Sequence, residues 1–214
     1  MVPLRTRPAF PNRRTLASLL AAVYNPAMRK CFFVAILLLS ISVPGFAAQK
    51  HLKADQVLAA AKSQAAGQNK SIFVIFQASW CEDCHRLDAL LAAPEIQPIF
   101  AKYYVIARIN VGEENGGNPA LNNPGGLNLL IKFGGVGPGG VADIPFISIL
   151  SDKGKLIVNS NPPAHGNMHP EGVGYPAKPA EIDWFMTMLK KSSPALTAED
   201  AQVVNNWLAK NGDN

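Results

Sequence analysis

No aspartate or glutamate occurs between Met1 and Ala54, although Arg5, Arg7, Arg13, Arg14, Arg29 and Lys30 all fall there. That one-sided charge argues against a folded surface and for a targeting segment. Met28-Arg29-Lys30 precedes an apolar run from Cys31 to Val43, and Pro44-Gly45-Phe46-Ala47-Ala48 follows. This is the basic, apolar, small-residue order of a secretory signal. A long hydrophobic span is also lacking: the run is 13 residues, whereas a bilayer-crossing helix needs about 20. The compact apolar block sets it apart from an organelle transit peptide. We therefore expect a signal peptide at 1–47, cleaved after Ala47, and a mature domain at 48–214. Met28 is a better start for such a signal than Met1, which makes 1–27 an over-extended gene start.

Without the leader, a basic surplus is missing as well. The mature chain carries 14 Lys and Arg against 15 Asp and Glu, so the sequence pI of 9.2 belongs to the leader. Nothing is left to attract nucleic acid. About 167 residues are enough for one domain with its own core. There are no internal repeats and no sign of a second domain.

Cysteine is scarce. Of three cysteines, Cys31 leaves with the signal, and Cys81 and Cys84 remain. Exported domains stapled by disulfides carry several at wide spacing. A bridge across two residues closes almost no chain and adds little stability. The pair points to redox chemistry rather than scaffolding.

What is present is organised around Ser79-Trp80-Cys81-Glu82-Asp83-Cys84-His85. The apolar, β-branched run Ser71 to Gln77 leads in as a buried strand. A helix leads out, with Leu87, Leu90 and Leu91 on one side, and breaks at Pro94. Strand, corner, CxxC, helix puts the first sulfur at a helix N-terminus, where free N–H groups and the dipole favour a thiolate. The thiolate is the form that attacks disulfides. Cys81 and Cys84 are accordingly the candidate redox-active centre, cycling between dithiol and disulfide bond.

Elsewhere the pattern predicts a helix from Lys53 to Ala66 ending at Gly67, a short helix from Glu95 to Lys102 and a strand from Tyr103 to Asn110. From Gly112 to Val141 glycine and proline dominate, and only Leu127 to Phe133 looks helical. A loop that long is either functional or a surface decoration. Phe146–Leu150 and Leu156–Val158 flank a turn at 152–155 and read as a hairpin. Helices follow at Ala180–Lys191 and after Thr197, whose hydroxyl is a cap three residues ahead of Asp200. Trp184 and Trp207 fall on apolar helix faces and are expected in the core.

Trp80-Cys81-x-x-Cys84 after a buried strand, with Ile144-Pro145-Phe146 opening a hairpin later, resembles the thioredoxin-like family, and its exported bacterial members in particular. The likeness runs over about residues 53–191. It implies an α/β, thioredoxin-like fold: a central mixed β-sheet flanked by helices, with a Gly-rich insertion before the cis-Pro hairpin and an extra C-terminal helix. By the same resemblance Cys81 attacks, Cys84 resolves the mixed disulfide, and Pro145 is a cis-proline facing the pair. Ile144, Pro145 and Trp80 would contact substrate. The activity implied is a protein disulfide oxidoreductase, acting as a reductase in the periplasm. Its partners would be protein or peptide disulfides and a membrane-linked thiol reductant, with the chain a monomer. No cofactor beyond the Cys81–Cys84 pair is needed, and no metal.

Three departures qualify the likeness. The family's buried acid six residues before the first cysteine is replaced by Ile75. The span from Cys84 to Pro145 exceeds a minimal thioredoxin's by about 20 residues, owing to the Gly-rich segment. The dipeptide between the cysteines is acidic: Glu82 and Asp83 oppose a thiolate, whereas His85 and Arg86 favour it. The balance predicts a pair nearer the reducing end of the range.

Other classes fit parts of the sequence. Cys81-x-x-Cys84-His85 also spells the c-type haem attachment motif of an electron carrier, with Met168 or Met186 as distal ligand. The buried strand before the motif and the β/α alternation after it speak against that. Zinc on Cys81, Cys84 and His85 would need His165 or His169, which sit in a proline-rich loop. A non-catalytic binding module of the same fold would have no need of both cysteines.

Overall fold

In the computed structural model residues 52–136, 143–163 and 172–212 are described, all within the compact unit Gln49–Asn214. The proposed signal segment, with Met28 and Cys31, lies outside the described residues. So do His165, Met168, His169 and the end of the Gly-rich segment.

Helix α1 (Ala54–Ala66) begins where the Lys53 N–H donates to Gln56 Oε1 at 3.0 Å, and Gly67 follows it. Strand β1 (Ser71–Gln77) comes next, then α2 (Glu82–Ala92), α3 (Gln97–Tyr103) and β2 (Tyr104–Asn110). Two 3₁₀ turns, Glu113–Asn115 and Pro119–Leu121, lead to α4 (Gly126–Lys132). The hairpin β3 (Phe146–Leu150) and β4 (Leu156–Asn159) precedes α5 (Pro179–Ser192) and α6 (Ala198–Asn211). Each strand and α-helix sits within a few residues of its predicted place, whereas the two 3₁₀ turns lie where only loop was expected.

The sheet order is β2-β1-β3-β4, with β1 parallel to β2 and antiparallel to β3, and β4 antiparallel to β3. This is the mixed sheet of a thioredoxin-like fold. β1 is central and covered on both faces, which is why it is an unbroken apolar run rather than an alternating one. Phe73, Ile75, Ile147 and Ile149 face α2, α3, α5 and α6. Ile72, Val74, Phe76, Phe146 and Leu150 face α1 and α4. Phe73 anchors the first layer, edge-on to Phe100 at 5.4 Å and to Phe185 at 6.3 Å.

The predicted cap of the last helix is present: Thr197 Oγ1 accepts the Asp200 N–H at 3.1 Å. Trp184 and Trp207 depart from expectation. Both are half-buried at the rim of the first core layer, and the Trp184 indole N–H donates to the Asn159 carbonyl. An indole needs a partner for its N–H, and at the rim one is within reach.

β1 and β2 run parallel and end together at Gln77 and Asn110. The CxxC corner leaves one and the Gly-rich segment leaves the other. Asn123 ties that segment down, accepting the Asn110 N–H at 2.7 Å and donating to the Leu52 carbonyl at 2.7 Å. Both excursions therefore start at the carboxyl edge of the sheet, where open α/β sheets place their ligands.

Candidate active site

Cys81 is the N-cap of α2, with extended backbone, and its Sγ accepts the Cys84 N–H at 3.2 Å. The helix it caps is 11 residues long, and the N–H of Cys84 in its first turn is the one that meets the sulfur. Cys81 and Cys84 are joined by a disulfide, with Cα atoms 5.2 Å apart. Both cysteines are largely covered: Cys81 is only 5% and Cys84 only 3% exposed. Ala78 and Ile144 pack against the pair.

The Ile144–Pro145 peptide bond is cis. The Ile144 carbonyl oxygen lies 3.6 Å from Cys81 Sγ. Pro145 is backed closely by Gly174, where a methyl group would stand 3.3 Å from Pro145 Cδ. The hairpin entrance and the CxxC corner therefore meet at one point, although 63 residues separate them in sequence.

Trp80 is 41% exposed. Its indole N–H donates to the Gly112 carbonyl at 2.9 Å, which lays the ring over the start of the Gly-rich segment rather than in the core. Glu82 and Asp83 are exposed, and Asp83 pairs with Arg86 at 3.2 Å. Arg86 also donates to the Gly212 carbonyl and lies 4.3 Å over the Tyr175 ring. Burial pushes the Tyr175 hydroxyl above its ordinary pKa, and the Arg86 charge partly opposes that. His85 is 2.9 Å from the Ser79 carbonyl through Nε2. A carbonyl only accepts, so Nε2 carries the proton there.

Sequence reasoning missed Glu113. Its side chain is fully buried, and Oε1 accepts the Ser79 N–H at 2.9 Å while Oε2 accepts the Ser79 hydroxyl at 2.6 Å. It sits in a stretch without periodicity, so nothing in the pattern marks it as inside. The one available signal was its place just past β2, at the same sheet edge as the cysteines. Ile75 is buried among Leu87, Leu90 and Phe100, and holds no proton for the site.

Beside Trp80 and Ile144 opens a cleft of about 680 Å³, bordered also by Gly112, Glu114, Asn115 and Leu127. Leu127 is half exposed there. The Asn122 amide holds the Glu114 carboxyl below its usual range. Of the residues named for haem, Met186 is packed in the core. Among the described residues no three His, Cys, Asp or Glu side chains gather as a metal site would require.

The profile of a family described as thioredoxin-like matches residues 53–151. Over that stretch the chain is thioredoxin-like. The match takes in α1, the CxxC corner, the Gly-rich segment and β3. No curated protein matches the sequence. Among solved structures, the chain is similar to a disulphide isomerase from Xylella fastidiosa Temecula1 at 19% identity and a TM-score of 0.43, covering 75% of this chain and 92% of that one. It is similar to a DsbH oxidoreductase at 17% identity and a TM-score of 0.41, covering 62% and 81%. A thioredoxin-fold protein from Helicobacter pylori aligns at 16% identity and a TM-score of 0.34, covering 67% and 84%.

Proposed function

We propose that this thioredoxin-like chain is an exported thiol–disulfide oxidoreductase that reduces protein or peptide disulfides in the periplasm. The observation that carries the reading is the Cys81 sulfur at the cap of α2, bridged to Cys84 and facing the Ile144–Pro145 bend.

The cycle starts from the dithiol. The Cys81 thiolate attacks one sulfur of a substrate disulfide, and the other leaves as a thiolate that takes up a proton. Cys84 then loses its proton and attacks Cys81 Sγ. That breaks the mixed disulfide, frees the second substrate thiol and leaves Cys81–Cys84 oxidised by two electrons. A membrane-linked dithiol reductant returns those electrons. Trp80, Ile144 and Pro145 contact the substrate around the sulfur. Glu82, Asp83 and His85 set the charge around Cys81. No organic cofactor or metal takes part, and the chain works as a monomer.

Reduction of insulin by dithiothreitol tests this. The chain should speed precipitation of the insulin B chain, and Cys81→Ser should return the rate to background. Equal rates for the two proteins would overturn the reading and favour a binding module of the same fold.

A further inference from the structure

Glu113 is fully buried, and none of the ion pairs among the described residues includes it. The exchange cycle leaves it unused. A buried carboxylate without a cation is costly, whereas glutamine would fill the same space without charge. Both carboxylate oxygens are spent on one residue: Ser79 gives its N–H and its hydroxyl to Glu113, and its carbonyl faces His85 Nε2. Ser79 thus has all three of its hydrogen-bonding groups engaged, two positions before Cys81. The next residue, Trp80, is held by Gly112, immediately before Glu113.

The surrounding glycines fit a turn closed tightly on this corner. A methyl group at Gly117 would collide with the Glu113 carboxylate and stand 2.7 Å from Ser79 Oγ, and one at Gly116 would stand 3.0 Å from Trp80 Cγ. Gly112 takes φ +69°, a conformation glycine adopts without strain. The start of the Gly-rich segment, Gly112 to Gly117, is therefore a clamp on the loop that delivers Cys81 to its helix.

We propose that Glu113 is a positioning residue of the dithiol site: acting through Ser79 it fixes the corner that presents Cys81, and its charge makes the Cys81 thiolate less stable. This rests on the thiol–disulfide reading above. The other titratable or charged groups about the corner are Glu82, Asp83, His85 and Arg86 on α2, Glu114 beside Glu113, and Asp143 ahead of the Ile144–Pro145 bend. Glu113 differs from them in being buried, so water screens its charge least.

The test is the pH profile for iodoacetamide alkylation of Cys81 in the reduced chain, read by mass spectrometry, for wild type, Glu113→Gln and Ser79→Ala. Glu113→Gln keeps the shape and removes the charge. Its profile should move down by about one pH unit, a tenfold change in ionisation. At a pH above the Cys81 pKa of both proteins, its equilibrium with glutathione should move about tenfold toward the dithiol, or about 30 mV. A profile that superimposes on wild type, or moves up, overturns the proposal. Ser79→Ala keeps the charge and loosens the clamp. At unchanged melting temperature it should slow exchange with oxidised glutathione at least about threefold, since small misplacements of reacting groups are costly. A wild-type rate there overturns the positioning role, and this arm decides if Glu113→Gln fails to fold. Alkylation needs no partner protein. A chain that fails to reduce insulin yet shows the Glu113 shift would sink the oxidoreductase reading alone.

Discussion

The Cys84 backbone N–H points at Cys81 Sγ from 3.2 Å. That donor favours charge on the sulfur, as does the start of α2. Against it stand Glu82, exposed beside the cap, and the fully buried Glu113. Asp83 is partly neutralised by Arg86. We expect the charge of these two acids to outweigh the hydrogen bond and the helix start, so that the pair equilibrates in the reducing range, at about −200 to −270 mV. Titration against a glutathione or dithiothreitol couple measures this. A value near the strong-oxidant end, about −120 mV, would contradict the charge argument.

Cys84 lies in the first turn of α2 behind Cys81, 3% exposed. If it resolves mixed disulfides, Cys84→Ser should hold substrates on Cys81 as adducts that dithiothreitol releases. Non-reducing gels of oxidised periplasmic extract should show these adducts with Cys84→Ser and lose them when Cys81→Ser is added. Equal capture with and without Cys81 would remove it from the nucleophile's place.

The sheet and the pairing of the two cysteines were legible because their signals are local. β1 is continuous and apolar, α2 has its stripe of Leu87, Leu90 and Leu91, and the cysteines mark the junction. Thr197 announced its own helix. Glu113 was not legible, because its partner Ser79 is 34 residues away in sequence, and a pairing across two loops leaves no periodic trace. The limited exposure of Cys81 was hidden for the same reason, since Ile144 covers it from another element. Nor did composition reveal that the described part of the Gly-rich segment, 112–136, is built in. Its order comes from single asparagines, Asn122 bonded to the Glu113 N–H and to Glu114, and Asn123 bonded to β2 and to Leu52. Such bonds depend on where the backbone goes, which no pattern encodes.

Gly135 tests whether the glycines of that segment are structural. A methyl group there would collide with Leu130 and stand 2.8 Å from Phe146 Cδ1. Both side chains are core residues, at 0% and 1% exposure, and have little room to yield. Gly135→Ala should cost about 1–3 kcal/mol, seen as a lower urea midpoint with an unchanged slope. Gly67→Ala, at a site with nothing within 4 Å, is the control. An unaffected Gly135→Ala midpoint would mean the segment is packed less closely than described.

Asp200 joins α6 to α3: its Oδ2 accepts from the Tyr103 hydroxyl at 2.6 Å and from Lys102 Nζ at 2.9 Å. The Tyr103 hydroxyl first, then Lys102, holds the Asp200 carboxyl below its usual range. A carboxylate with a lower pKa in the folded chain contributes stability that is fully present above its unfolded value, about 3.9. That contribution is lost as pH falls through the folded value. The substitution Asp200→Asn removes the charge while leaving the backbone N–H bond to Thr197 in place. The variant should therefore melt lower than wild type at pH 7 by about 0.5–1 kcal/mol, or about 1–4 °C. The two melting curves should converge as pH drops below about 3.9. A gap that widens in acid would show that Asp200 is a strained charge in the fold and not a tie between the two helices.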